Sequence, residues 1–507
     1  MNFMKSFQFF KQISSIDAIL GDLKKKPASY WEKRGEKMAM DFFKFASKTV
    51  PAYKKLLKKK NINPHSVRNA GDFKKLPLLD KKNYVDAYEF SDLFPHHDLS
   101  RITTFSATSG STGKPHYFPR GEEQDWQYEY VAELYLKNQF EIGKHRTLVL
   151  IGFGMGIWIG GIFTYKILNA IARKGYVLSS MPIGPNIDLY LQSLKKFGHL
   201  YDQVILMGYP PFIKDIIDES SNYGIHWNDY KVRIMTAAEG FSEEFRNYIA
   251  EKTKIKNPLT DIINIYGTVE LGTMAHETST TSLIRRLLQN NTPATKSIFP
   301  RQKHLPTLAQ YHPYIVHFEQ VEGEVIGTGF GSIPLIRYRF FDTGGVIPFD
   351  TMVEKLKRVG IDLFAEAKKA GMAGTVMKLP FVYVYERSDF TVIIRGANIY
   401  PEEVKRALHD NSLENSITGK FTMIKKENKT MDEYLEIHVE MKKKIKQTID
   451  LKRKVQTIVT DTLRKLNSEF NDQYESVPHL MAPRITLWPY HDIRYFKPSG
   501  KQQWVKK

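Results

Sequence analysis

Residues 108–115 read Thr-Ser-Gly-Ser-Thr-Gly-Lys-Pro, a run whose residue types suit the grip of an anion. Gly110 and Gly113 let backbone N–H groups approach with no Cβ in the way, while Thr108, Ser109, Ser111 and Thr112 add hydroxyl donors and Lys114 adds a positive charge. This is chemistry for phosphate. It is not the common P-loop, which has four residues between its glycines and a Ser or Thr after the lysine to ligate magnesium. Here two residues separate Gly110 from Gly113, and Pro115 follows Lys114, so any metal must be held elsewhere. On its own the cluster reads equally as a surface turn.

Other groups of usable type recur along the chain. Tyr266-Gly267-Thr268-Val269-Glu270 sets an aromatic ring, a hydroxyl and a carboxylate close together, and Arg337-Tyr338-Arg339-Phe340-Phe341-Asp342 ends in a carboxylate. Arg387-Ser388-Asp389 and Pro498-Ser499-Gly500-Lys501 follow. Taken singly, Tyr266 reads as a core aromatic, Glu270 as a helix-terminal carboxylate and Lys501 as one solvated lysine among several. Their order is what gives them weight.

The elements that must position these residues show in the hydrophobic pattern. Trp31 to about Asp98 reads as helical and basic, with Phe42, Phe43, Phe45 and Ala46 on a buried face and Pro51 ending the run. From Thr147 onward, apolar runs at Thr147 to Phe153, Val204 to Met207, Val232 to Thr236 and Ile262 to Tyr266 alternate with amphipathic helical stretches, the mark of an α/β domain. Ligands in such domains bind beyond the carboxyl ends of the strands, where the Gly152–Gly156, Gly208–Pro211, Ala237–Gly240 and Gly267–Glu270 loops fall. Met352 to Ala370 reads as one amphipathic helix. Past Ser388 a smaller unit begins, with a strand at Thr391 to Arg395, a helix at Pro401 to Leu408 and an alternating strand through Leu435, Ile437, Val439 and Met441. A long basic helix carries Val455, Ile458, Val459, Leu463, Leu466 and Phe470 as a core-facing stripe.

Composition bounds the chemistry. A chain of 507 residues exceeds one ordinary core, so at least two domains are expected. With no cysteine, disulfides, thiolate metal sites and a cysteine nucleophile are excluded, and any thiol in the reaction comes from a partner. The net charge of +19 favours anionic partners, but zinc-ligand spacing and aromatic RNA-binding signatures are missing, so nucleic acid is not expected. The apolar stretches are too short to span a bilayer and Lys11 interrupts any signal-like run, so the expected compartment is the cytoplasm.

The phosphate-type loop, Tyr266–Glu270, Arg337–Asp342 and Arg387–Asp389, in that order, resemble the adenylate-forming enzymes. More closely, the chain from about Trp31 to Lys501 resembles the phenylacetate-CoA ligase family, which includes members associated with capsular polysaccharide genes. The segments "VPAYKKLLKKKNI", "DFKKLPLLDKKNY" and "GFGMGIWIGGIF" carry the likeness. The resemblance implies an α/β N-terminal adenylation domain over 1–387, with 1–98 as its helical layer, and a small mobile α+β domain over 388–507 that carries the catalytic lysine.

It also implies roles. Thr108 to Lys114 would grip the departing phosphates of ATP, Tyr266 would pack on adenine, Gly267 would belong to the same turn, Thr268 would lie near the α-phosphate and Glu270 would hold Mg2+. Ala238 and Glu239 would form a wall beside adenine, although Gly240 stands where proline is usual. Asp342 would accept from the ribose hydroxyls, with Phe340 and Phe341 departing from the small or polar residues more familiar before it. Arg387 would reach the nucleotide and Asp389 would serve as hinge, with Glu386 replacing a glycine. Arg395-Gly396-Ala397-Asn398 would line the thiol tunnel, and Lys501 would stabilise the transition state. Phe153, Met155, Ile157, Trp158, Tyr209, Pro210 and Phe212 would line an apolar acyl pocket, with Gly154 and Gly156 leaving room for a flat ring. His276 and His116 receive no proton-transfer role.

The expected activity is ATP-dependent activation of a carboxylic acid, aryl or medium-chain, and transfer to coenzyme A. The alternatives are transfer to an amine or to the thiol of an acyl-carrier protein, and a non-enzymatic scaffold of the same fold. A homodimer is left open.

Overall fold

The computed structural model describes residues 15–108, 116–299, 305–387, 391–496 and 505. The apolar runs assemble into an 11-stranded sheet. One part is parallel, in the spatial order Ile262–Thr268, Val232–Ala237, Gln203–Gly208, Thr147–Ile151, Leu178–Pro182. Successive residues of these strands feed opposite cores. Val149, Ile151, Ile205 and Met207 enter one, while Leu148, Leu150, Val204 and Leu206 enter the other. Burial on both faces is why the runs are continuously apolar rather than alternating. The rest of the sheet is antiparallel: Gly272–His276, Thr307–Tyr311, Phe381–Arg387, Pro334–Ile347, Glu324–Phe330 and Val316–Val321.

The N-terminal helices are Ile16–Lys25, Ala28–Thr49 and Pro51–Lys59. Trp31, Met38, Phe42 and Phe43 share the buried face of the second, and Gly35 meets the sheet side so closely that a Cβ there would lie 2.5 Å from the Cβ of Pro313. Pro51 ends that helix and also opens the next, where its missing N–H costs nothing. The helical layer does not reach Asp98 as expected. After Lys59, Pro64, Pro77 and Pro95 limit the chain to helical turns of three to five residues, Ala70–Phe73, Lys81–Val85 and Phe90–Leu93 among them.

Residues from Val392 onward build a core of their own. It comprises the hairpin Val392–Ile394 with Ala397–Ile399, the helix Pro401–Leu408 and a sheet of Ile417–Glu427, Glu433–Met441 and Arg484–Trp488. Two expected single helices are each divided. Met352 to Ala370 becomes Phe349–Arg358 and Leu363–Lys369, because Gly360 takes a left-handed φ of 81° and Asp362 caps a new start. The stripe from Val455 to Phe470 spans Ile449–Leu466 and Ser468–Ser476, with Asn467 turning its side-chain oxygen to the Phe470 N–H as a second N-cap. Val455, Val459, Leu463 and Phe470 still face the core. Among the described residues no helix is long and apolar enough to cross a membrane.

Candidate active site

A cavity of about 1200 Å³ opens where the carboxyl ends of Val232–Ala237 and Ile262–Thr268 meet the C-terminal unit. Ala238, Glu239, Tyr266, Gly267, Thr268, Glu270 and Asp342 all line it. Residues scattered over a hundred positions of sequence thus converge on one space, as expected for strand-end loops of an α/β sheet.

Local irregularities aim these side chains. The pairing of Ile262–Thr268 with Gly272–His276 shifts between Tyr266 and Gly267, and a Cβ at Gly267 would lie 2.7 Å from the carbonyl of Gly272. Opposite, Val325 pairs with Asp342 but Ile326 with Arg339, so Phe340 and Phe341 form a bulge. Phe341 adopts φ 65° with Arg339 over its ring, while Phe340 is buried against Tyr338. Bulges bend a strand and re-aim its neighbours. Here the result is a Tyr266 hydroxyl that donates to Asp342 Oδ2 at 2.5 Å. The unfamiliar Phe340-Phe341 pair therefore shapes the strand rather than filling the cavity. Thr268 Oγ1 accepts from the Leu271 N–H at 3.4 Å, and the half-buried Tyr266 ring stacks near Phe318.

Glu270 is buried in the same turn, and Lys81 Nζ lies 3.2 Å from its carboxylate. Lys81 was not among the residues singled out from sequence. Backbone bonds pin its segment to the Asp342 strand: the Leu79 N–H donates to Arg337 O, and the Arg339 N–H donates to Leu79 O. The available signal was the Asp80…Asn83 capping box that starts the turn bearing Lys81.

Behind the 238–240 wall stands a fully buried charge network. Arg246 and Arg285 both donate to Glu277, and Arg246 also pairs with Glu243. Glu277 accepts from the Asn264 backbone N–H at 3.0 Å, and the Asn264 side-chain amide donates to the carbonyl of Glu239 at 2.8 Å. Arg285 donates to Phe241 O, and the Arg246 guanidinium sits 4.8 Å from the Phe241 ring centre. Asn264 is the polar interruption in an otherwise apolar strand, and this is its use. Ala238 is held at φ 73°, and a Cβ at Gly240 would meet Thr307 Oγ1 at 2.4 Å, which accounts for glycine where proline is usual.

The Glu239 carboxylate turns towards the C-terminal unit. It accepts from Lys425 Nζ at 2.6 Å and from the Gly396 N–H, both in the C-terminal unit. Gly396 has φ 85°, and a Cβ there would meet the Tyr209 ring at 2.7 Å.

The apolar end of the cavity is lined by Phe153, Gly154, Trp158, Phe163 and Tyr209, with Tyr128 OH and Thr164 Oγ1 3.1 Å apart. Burial pushes the Tyr209 phenol up, so it stays protonated, and its oxygen accepts from the Gly154 N–H at 3.3 Å. Four expected pocket residues are not there. Phe212 is buried against Tyr190 in a separate core, under Gly152; Pro210 opens the helix Pro210–Glu219; and Met155 and Ile157 lie outside the lining. Gly156 serves conformation, with φ 75°, rather than room for a ring. His276 is buried and lowered to about 4 by desolvation, hence neutral, and His116 lies 3.1 Å from Asp86.

Ser109, Gly110, Ser111, Thr112, Gly113, Lys114, Asp389 and Lys501 lie outside the described residues. Thr108 ends the strand Ile102–Thr108, and Arg387 is the register partner of Asp342.

No protein-family model matches the chain. It is 23% identical over 377 residues to the phenylacetate-coenzyme A ligase of Pseudomonas putida, covering 71% of this chain and 72% of that protein. The Aromatoleum evansii ligase of the same name gives 23% over 375 residues, 72% of each. Among solved structures, 2-hydroxyisobutyryl-CoA ligase with 2-HIB-AMP and CoA in the thioesterification state superposes with a TM-score of 0.63 at 14% identity, over 96% of this chain and 91% of that one. The same enzyme in a postadenylation state gives 0.54. The curated relatives and the fold together mark an adenylate-forming enzyme. Within that class the chain is acyl-CoA ligase-like, and in sequence it is similar to the phenylacetate-coenzyme A ligases.

Proposed function

We propose that the chain activates an aryl or medium-chain carboxylic acid with Mg-ATP and passes the acyl group to coenzyme A. The observation that carries this reading is the convergence of Tyr266, Thr268, Glu270 and Asp342 on one cavity whose far end is aromatic and apolar. In the first step a carboxylate oxygen attacks the α-phosphorus and pyrophosphate leaves. In the second, a thiol sulfur attacks the acyl carbon, AMP departs with the carboxylate oxygen, and the thiol proton is lost to solvent.

Adenine would lie against the Tyr266 ring and the 238–240 backbone, with Asp342 accepting from the ribose diol. Thr268 and Lys81 stand on the phosphate side, where a positioned cation offsets charge that grows in the transition state. Among the described residues no cluster of three acidic or histidine side chains could cage a metal. Magnesium fits nonetheless, because it binds through one or two carboxylates with substrate phosphates and waters completing its shell, and Glu270 supplies such an oxygen. Bound there it would neutralise phosphate charge. The 109–114 loop would close over the departing phosphates, Arg387 would reach the nucleotide, and the 388–507 domain would swing about Asp389 to deliver Lys501. The higher TM-score against the thioesterification state supports reading the present orientation as the acyl-transfer one. The aromatic end suits an aryl acid, and the lysine-rich C-terminal unit suits an anionic acceptor, coenzyme A or an acidic carrier protein.

The test is pyrophosphate release from Mg-ATP across aryl, fatty and hydroxy acids, with and without coenzyme A. Acid-dependent release that falls about a hundredfold to a thousandfold in Lys501→Ala is the expected result. Silence across the panel with ATP still bound would sink the reading, and products formed only with an amine or a carrier protein would move the acceptor.

A further inference from the structure

The strands Ile417–Glu427 and Glu433–Met441 form a hairpin whose tip leaves its own core and enters the larger one. At that tip Met431, at φ 62°, packs against the cluster that contains Tyr190, Ile213 and Ile216. Beside it Asp432 takes Lys214 Nζ at 2.6 Å, and Lys214 is itself buried and also pairs with Asp218 at 2.6 Å. On the strand leading to the tip, Lys425 Nζ lies 2.6 Å from Glu239 and 2.8 Å from Glu433. Arg395 pairs with Asp215 close by. Charges therefore cross the boundary in both directions: acids of the larger unit take Lys425 and Arg395, and a lysine of the larger unit takes Asp432.

Two nearly buried carboxyl groups, Glu239 and Glu433, meet the Lys425 ammonium, and Glu239 belongs to the wall of the nucleotide site. Glu239 meets Lys425 only when the hairpin is seated. Removing one partner from such a buried set leaves an uncompensated charge, so the set favours one orientation far more than it favours the fold. The seated hairpin is also what brings Gly396 against Tyr209.

We propose that Lys425 is a positioning residue for acyl transfer: it fastens the hairpin tip to Glu239 and so holds the C-terminal unit where Gly396 closes on Tyr209. Lys425 takes no part in forming the acyl-adenylate. This rests on the adenylation reading above, but the orientation it predicts can be read without any turnover.

The chain lacks cysteine, so Val177→Cys and Ile449→Cys, at exposed positions on the two units, accept spin labels at those sites alone. In the full-length labelled protein one distance population is expected. Adding Lys425→Met, which keeps the length and loses the charge, should move at least about a tenth of the molecules to a second distance, the scale of a two-state shift of one to two kcal/mol. Asp432→Asn, at the outer edge of the same tip, should shift the population in the same sense and by less. In single-turnover assays Lys425→Met should slow transfer from preformed acyl-AMP about tenfold or more and leave pyrophosphate release unchanged. Unchanged distances in both variants would overturn the proposal, as would equal losses in the two half-reactions. If no acid is adenylated by the parent protein, the distance measurement still decides whether the latch exists.

Discussion

The 238–240 wall and the C-terminal rim both depend on buried ion pairs, yet the pairs differ in what they join. Arg246, Glu243, Glu277 and Arg285 all belong to the larger unit, and their contacts persist in any placement of the smaller one. Lys425–Glu239, Lys214–Asp432 and Arg395–Asp215 join two cores, and they exist only in one placement. The first set contributes to folding and fixes the backbone of Glu239 through Asn264. The second selects an orientation. Glu239 takes part in both, by its carbonyl in one and by its carboxylate in the other.

Three measurements would break or sharpen that contrast. The largest effect belongs to the internal network: Glu277→Ala leaves two buried guanidinium groups to share the single carboxylate of Glu243 and should lower unfolding free energy by about 3 to 5 kcal/mol, read from denaturant midpoints. If stability holds while only acyl transfer suffers, the division between the two sets fails. Next is Gly396→Ala, which adds a Cβ against Tyr209 and places alanine at a left-handed φ. Overpacking against Tyr209 costs about 1 to 3 kcal/mol and acts only in the seated placement, so transfer should slow about tenfold or more, while the backbone strain, present in any placement, lowers the thermal midpoint modestly. Equal loss of pyrophosphate release would contradict it.

The third effect is a pH dependence at the rim. Burial first, and then the neighbouring Glu239, push the Glu433 carboxyl up to about 8, with Lys425 opposing. The groups facing it are Glu239 of the wall loop and Lys425 of its own hairpin. A carboxyl raised in the seated state holds a proton that the released state gives up, so seating is strongest at pH below the ordinary carboxylate range. It weakens as pH rises from there to about 8, by at most about tenfold per pH unit. The labelled protein should show the second distance growing over that window, and Glu433→Gln should flatten the trend.

Much of this was legible in the chain. Parallel strands buried on both faces leave long apolar runs, so Thr147–Ile151, Gln203–Gly208, Val232–Ala237 and Ile262–Thr268 announced themselves, and the loops after them were the right places to look. Tyr266, Thr268, Glu270 and Asp342 stood out through the family resemblance that their types and order carry, and the cavity gathers them. Lys81 did not stand out, because a lysine in a short turn carries no periodicity and its partner Glu270 is far away in sequence. Phe212 misled for the converse reason: an aromatic two residues after Pro210 is apolar in either setting, and only its packing against Gly152 and Tyr190 shows which core takes it.

The sequence by itself determined the alternation of elements, the absence of any thiol in the chain and the types of group available at the strand ends, since these depend on local pattern and composition. Tertiary structure alone decided that Glu239 faces a lysine nearly two hundred positions away, that Phe340 and Phe341 bulge to aim Asp342, and that Gly240 lies close against the Thr307 hydroxyl. Each of these depends on where a distant backbone comes to rest, and that placement is set by the packing of whole cores rather than by any residue's neighbours along the chain.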